Sequence, residues 1–125
     1  MLLSSVQKGI YEPLEESLEV PVKDYVPEKE EFPYVVLGEI SSVEYKTKTT
    51  DGKRVTQRIF VFSTAEGKAE THSIVEQIEE ALMEDELEIE GANVIMQSVK
   101  SESVWQADDG LFCGSIEFEL QIDKE

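Results

Sequence analysis

Ile116-Glu117-Phe118-Glu119-Leu120-Gln121-Ile122 alternates apolar and polar side chains without a break. Side chains of an extended chain point to opposite sides in turn, so this stretch is a strand with one face on a core and one toward water. One-sided burial of this kind belongs to antiparallel sheets, whereas parallel strands are covered on both faces. Working outward, Tyr34 to Lys46 opens with Tyr-Val-Val-Leu, and Lys53 to Ser63 ends with Ile59-Phe60-Val61-Phe62. Both are rich in residues that suit strands. Asp51-Gly52 lies between them, and the positive φ open to glycine predicts a hairpin there. The Ile59–Phe62 run is apolar on both sides. One side is expected to meet a helix, and the other needs a cover for which a second subunit is a candidate. Leu87 to Ile89 and Val94 to about Trp105 read as two further strands joined by a turn at Glu90-Gly91-Ala92-Asn93, with another turn at Asp108-Asp109-Gly110. Val22 to Val26 adds a short edge strand that Pro27 ends, because proline cannot donate to a ladder.

Two stretches carry helical spacing. Leu3, Val6, Ile10, Leu14 and Leu18 recur every three or four residues. Pro13 interrupts this stripe, so two short helical pieces are expected, with Pro13 opening the second. Ser63-Thr64-Ala65-Glu66 fits a capping box for a second helix that runs to about Asp85. Ile74, Val75, Ile78, Ala81 and Leu82 form its buried stripe, while Glu76, Glu79, Glu80 and Glu84 fall mostly on the wet side. The order of helix, strands, helix, strands, with hairpins or short loops between them, predicts an α+β fold: a mostly antiparallel β-sheet with two helices packed on one face.

The chain has 125 residues, which suits a single domain over 1–125. Its 28 Asp and Glu outnumber 11 Lys and Arg, for a net charge of −17. Such a surface repels phosphates, which argues against sequence-independent nucleic-acid binding and against an anionic membrane. A 40% hydrophobic content in patterned stretches argues against disorder. One cysteine, Cys113, allows no disulfide within the chain and no cysteine metal framework. Met1 to Ile10 lacks the pattern of a signal peptide, so the cytoplasm is the expected site of synthesis and assembly.

Motifs for chemistry are scarce. Gly67-Lys68 is followed by Ala69 where a phosphate loop needs a hydroxyl, and no glycine stands at position 62. His72 is the only histidine, and general-base work needs an oriented partner. Cys113, beside Gly114, is expected to pack as a small apolar group. The carboxylates Glu76, Glu79, Glu80, Glu84 and Asp85 have the spacing that holds magnesium in some nucleotide pyrophosphohydrolases, with Glu76, Glu79 and Glu80 as the ligands. They lie opposite the apolar stripe, however, where a solvated face is expected. Neither a metal nor a cofactor is therefore assigned. Asp108-Asp109-Gly110 lacks the later carboxylate of a calcium loop. Trp105, next to Val104, is expected in the core, with an interface anchor as the alternative.

The basic residues are concentrated. Lys46, Lys48, Lys53, Arg54 and Arg58 supply five of the eleven positive charges around the Asp51-Gly52 hairpin. Two readings stand side by side. The residues pair with cross-strand carboxylates on a wet hairpin, or they form a positive finger that docks on the acidic surface of a neighbouring copy.

Tyr25-Val26-Pro27-Glu28, followed by Phe32-Pro33-Tyr34-Val35-Val36-Leu37-Gly38-Glu39, resembles the signature of the phage tail completion family that includes the tail-to-head joining (tail terminator) proteins of siphophages. Lys48-Thr49-Thr50-Asp51-Gly52, Val61-Phe62-Ser63, Gly67-Lys68-Ala69-Glu70, Ile78 with Ala81-Leu82, Asp109-Gly110-Leu111 and Gly114 are similar to it in order and spacing. The resemblance covers nearly the whole chain. It implies a fold like that of tail-tube proteins and a homohexameric ring at the head-proximal end of the virion tail. Such a ring caps the finished tail tube and joins the head-tail connector, while genomic DNA passes through its lumen without specific binding. It implies no catalytic residues and no membrane partner. The alternatives are another tail-tube or head-tail connector subunit, and the magnesium-dependent pyrophosphohydrolase.

Overall fold

In the computed structural model the described residues are 2–29, 31–46, 51–64, 66–108 and 110–124. Their order is α1 (Leu2–Ser17), β1 (Val22–Lys23), β2 (Tyr34–Lys46), β3 (Asp51–Ser63), α2 (Ala69–Met83), β4 (Ala92–Asp108) and β5 (Leu111–Lys124). The alternating C-terminal stretch becomes β5. It runs antiparallel between β3 and β4 in a five-stranded sheet of order β1-β2-β3-β5-β4. Ile116, Phe118, Leu120 and Ile122 are all buried on its inner side. They meet Val55, Ile59 and Val61 of β3, Val6, Ile10 and Leu14 of α1, and Ile74, Val75, Ile78 and Leu82 of α2 in one core. The fold is therefore α+β, with both helices on one face of a mostly antiparallel sheet.

Several local expectations are corrected. α1 is a single helix that contains Pro13, not two pieces. A proline in a helix interior costs about 3 kcal/mol. Val6, Ile10, Leu14 and Leu18 are all buried, and full burial of each such side chain is worth about 1.5–3 kcal/mol. That gain holds the helix together through the proline. β1 covers only Val22–Lys23 and lies parallel to β2, so this link is neither a hairpin nor a strand ended by Pro27. Leu87 and Ile89 are buried but form no strand, and β4 already begins at Ala92, just after Gly91. The capping box does not form. α2 starts five residues later than that box predicts, and Lys68 precedes it without a side-chain cap. Ser63 ends β3 and donates its hydroxyl to Glu70 Oε1 at 2.6 Å.

Asp51-Gly52 is not the turn. Both residues are already paired in β3, opposite Lys46 and Tyr45. Residues 47–50, between the paired Lys46 and Asp51, lie outside the described residues. Gly52 is instead a site of close approach, since a Cβ there would collide with the Tyr45 ring. The β4–β5 turn does use glycine's freedom: Gly110 has φ +77° next to the Asp108↔Leu111 pair. Asp109, the other residue of that turn, lies outside the described residues.

Two buried or half-buried glutamines tie the irregular parts together. The pairing of β2 with β3 shifts register between Leu37 and Ile40. Gln57 is fully buried beside this bulge. Its Nε2 donates to the carbonyls of Gly38 (3.0 Å), Glu39 (3.3 Å) and Arg58 (2.8 Å). Gln97 on β4 donates from Nε2 to the Leu82 and Asp85 carbonyls, both at 2.8 Å, and accepts from the Leu87 amide at 2.9 Å. It thus satisfies the C-terminal end of α2 and fastens segment 84–87 to the sheet. Replacing Gln57 with Met keeps the volume but leaves the bulge carbonyls unpaired. Chemical denaturation of Gln57→Met should show a loss of about 1–3 kcal/mol.

Candidate interaction surfaces

Strand parity divides the described side chains between a helix-covered inner face and an outer face with no element packed on it. At one end of the outer face Tyr34, Phe62, Cys113 and Trp105 stand opposite one another on β2, β3, β5 and β4. The Tyr34 ring lies 5.2 Å from Phe32 and 5.3 Å from Phe62, and Phe60 lies 6.5 Å from Phe62. Trp105 is exposed and not a core residue, a correction to the sequence expectation. Its alternating position on β4 turns it away from the helices. Cys113 is buried within this row. Burial raises its thiol pKa above the ordinary value, and the charge of Asp108 adds to the rise. The thiol is therefore held protonated and unreactive.

The middle of the outer face is nearly balanced in charge. Arg58 stands opposite Glu117. Arg54 Nε and Lys100 Nζ lie 3.7 Å and 3.5 Å from the same oxygen of Glu119. The basic cluster is thus split between faces: Arg54 and Arg58 point outward, whereas Lys46 and Lys53 lie on the inner side beyond the helices. Lys46 and Lys53 stand opposite Asp51 and Glu44 in the β2–β3 register. Lys48 lies outside the described residues. Cross-strand pairing is therefore present for part of the cluster, but two cations share Glu119 and a positive excess remains.

The carboxylates of α2 do not converge on an ion. Among the described residues no group of three or more His, Cys, Asp or Glu side chains has the geometry to hold a metal. Glu79 faces Glu102 on β4 instead, within hydrogen-bond reach. The Glu102 pKa is raised to about 7, first by the hydrogen bond to Glu79, then by burial, then by the charges of Glu79 and Glu76. Sequence reasoning missed this pair, because the approach of β4 to α2 is a tertiary fact. His72 is exposed near the start of α2. A groove of about 520 Å³ lies between α1 and β1 and is lined by Ser4, Gln7, Lys8, Tyr11, Asp24 and Tyr25 among others.

With this geometry in place, the family can be stated. The description "Tail completion protein gp17" matches residues 13–123. The chain belongs to the phage tail completion protein gp17 family. A solved structure of the bacteriophage SPP1 gp17 protein is 26% identical, covers 98% of this chain and 90% of that one, and superposes with a TM-score of 0.59. A chain from the virion of the native gene transfer agent (GTA) particle is 18% identical over 98% of this chain and 97% of that chain, with a TM-score of 0.84, and so shares its fold. No curated protein sequence matches the chain. Membership makes this a structural protein of the phage tail and places it in the virion.

The raised pKa of Glu102 carries a pH signature. Glu102 titrates near 7 when folded and near its ordinary 4.5 when unfolded. A raised folded-state pKa contributes stability that is complete below 4.5 and is lost as pH rises through about 7. Glu102→Gln keeps a donor for Glu79 and removes the titration. Thermal unfolding should show the variant melting higher than the wild type at pH 8, with the difference shrinking toward pH 5.

Proposed function

We propose that this protein closes into a hexameric ring on the head-proximal end of the tail tube, stops further addition of tube subunits, and offers the surface that joins the head-tail connector. The observation that carries the reading is the one-sided sheet in a chain of this family. The helices cover one face, while the other, with Phe32 and Trp105 exposed at its aromatic end, and the outer edge of β4 carry no helix. A subunit with two different uncovered surfaces joins copies head to tail, and such an interface closes into a ring when the rotation per step allows it. An aromatic, charge-balanced outer face suits contact between subunits that would otherwise repel one another at −17 each.

The remaining acidic surface suits the passage of DNA. A lumen wall of carboxylates repels phosphates and gains nothing from counterion release, so the genome slides without sticking. In this reading the β2–β3 hairpin, with Lys46, Lys48, Lys53, Arg54 and Arg58, reaches the adjacent subunit or the tube. Assembly is expected to take place in the host cytoplasm, before heads and tails join. The pyrophosphohydrolase alternative gains no support, because Glu79 is engaged with Glu102 and Glu76 and Glu80 are exposed.

Substitution of Lys48, Lys53 and Arg54 by Glu tests the hairpin. Negative-stain microscopy of particles carrying this triple change should show tails detached from heads. A normal yield of joined particles would remove the hairpin from the joining surface.

A further inference from the structure

The ring reading leaves open what the positive hairpin meets, and the sheet register supplies an answer. Val43, Arg54, Gln121 and Met96 stand in one row across β2, β3, β5 and β4. Val43 sits on the β2 edge, which β1 leaves uncovered beyond Val36. Met96 sits on the β4 edge, at the opposite side of the sheet. Each end of the row carries an exposed apolar group: Val43 is 68% and Met96 38% exposed, with Ile95 (54%) and Met83 (42%) beside Met96.

Charge at the two ends is complementary. Residues 43–58 hold five Lys and Arg against Glu44 and Asp51, whereas residues 83–90 hold Glu84, Asp85, Glu86, Glu88 and Glu90 with no basic residue. Met83, Glu84, Asp85, Glu86, Ile95 and Met96 together line a groove of about 260 Å³. This groove is fixed in place, because Gln97 binds the Leu82 and Asp85 carbonyls and the Leu87 amide.

We infer that the occupant of this groove is a second copy of the chain: Val43 at the β2 edge of one copy seats against Ile95 and Met83 of the next, with Arg54 on the outer side of that edge and Lys46 and Lys53 on the inner side meeting the Glu84-Asp85-Glu86 rim. An apolar centre inside a rim of opposite charge gives both attraction and register. Val43 and Met96 end one cross-strand row, and Ile95 and Met83 flank Met96 in the groove, so the two edges meet at one level of the sheet. The inference rests on the ring reading and names the contact that forms it. Opposite charges set against each other at this contact would also explain how a chain at −17 uses its one positive segment to assemble.

The test uses particles assembled with the full chain carrying Val43→Cys and Ile95→Cys, treated with a short bis-maleimide and separated on a denaturing gel. Each single variant serves as control, and wild-type particles treated with glutaraldehyde report the ring independently. The expected result is a ladder of covalent multimers from the double variant, ending at the same size as the glutaraldehyde ladder, and no ladder from either single variant. A glutaraldehyde ladder without a bis-maleimide ladder overturns this contact and leaves the ring reading standing. Absence of both ladders overturns the two together. A charge exchange covers the case in which the cysteine variants fail to enter particles. Glu84, Asp85 and Glu86 changed to Lys should lower the yield of joined particles by about tenfold or more, as juxtaposed like charges predict. Adding Lys46, Lys53 and Arg54 changed to Glu restores the net charge of −17 and should restore most of that yield. No recovery in the combined variant contradicts the pairing.

Discussion

Burial of one sheet face beneath two amphipathic helices is the contact on which the rest of the molecule depends. The inner residues of β3 and β5, from Val55 to Val61 and from Ile116 to Ile122, form one core with the stripes of α1 and α2. That packing is strong enough to carry α1 through Pro13 and to hold Leu87 and Ile89 in place without a strand of their own. It also consumes both helices. No element is left to cover the outer face, and the sheet edges are only partly closed by the two-residue β1. A fold arranged in this way presents surfaces to other chains by construction.

Charge then decides how those surfaces are used. At −17 a copy repels its neighbours, and only contacts with local balance or complementarity can overcome this. The outer face meets that condition through Arg58 opposite Glu117 and the shared Glu119 of Arg54 and Lys100. Away from it the carboxylates are in excess, to the point that Glu79 and Glu76 help raise the Glu102 pKa to about 7. Membership of the tail completion family gives this distribution its setting. In the proposed ring, acidic walls and a few balanced contacts are compatible demands.

Much of this was legible in the sequence, and the misses have common causes. Period-two alternation from Ile116 to Ile122 and helical spacing from Ile74 to Leu82 each reflect burial on one face, and both elements form where expected. Local signals failed where long-range pairing overrode them. Asp51-Gly52 carries turn chemistry, yet the register set by Tyr45 and Lys46 draws both residues into β3. Ser63 and Glu66 have capping-box spacing, yet Ser63 stays in β3 and bonds Glu70. Gln57 and Gln97 escaped notice altogether. A polar residue's role as a plug for distant carbonyls is invisible until the chain folds around it. Of the five basic site residues, the structure places four and shows them on two faces, not on a single finger.

Electron microscopy of particles produced without this chain reaches the central claim most directly. A ring that ends tail growth and joins the head predicts filled heads beside separate tails of irregular, excessive length. Heads without any tails would assign the chain to the tube itself, and normal joined particles would contradict a role in completion.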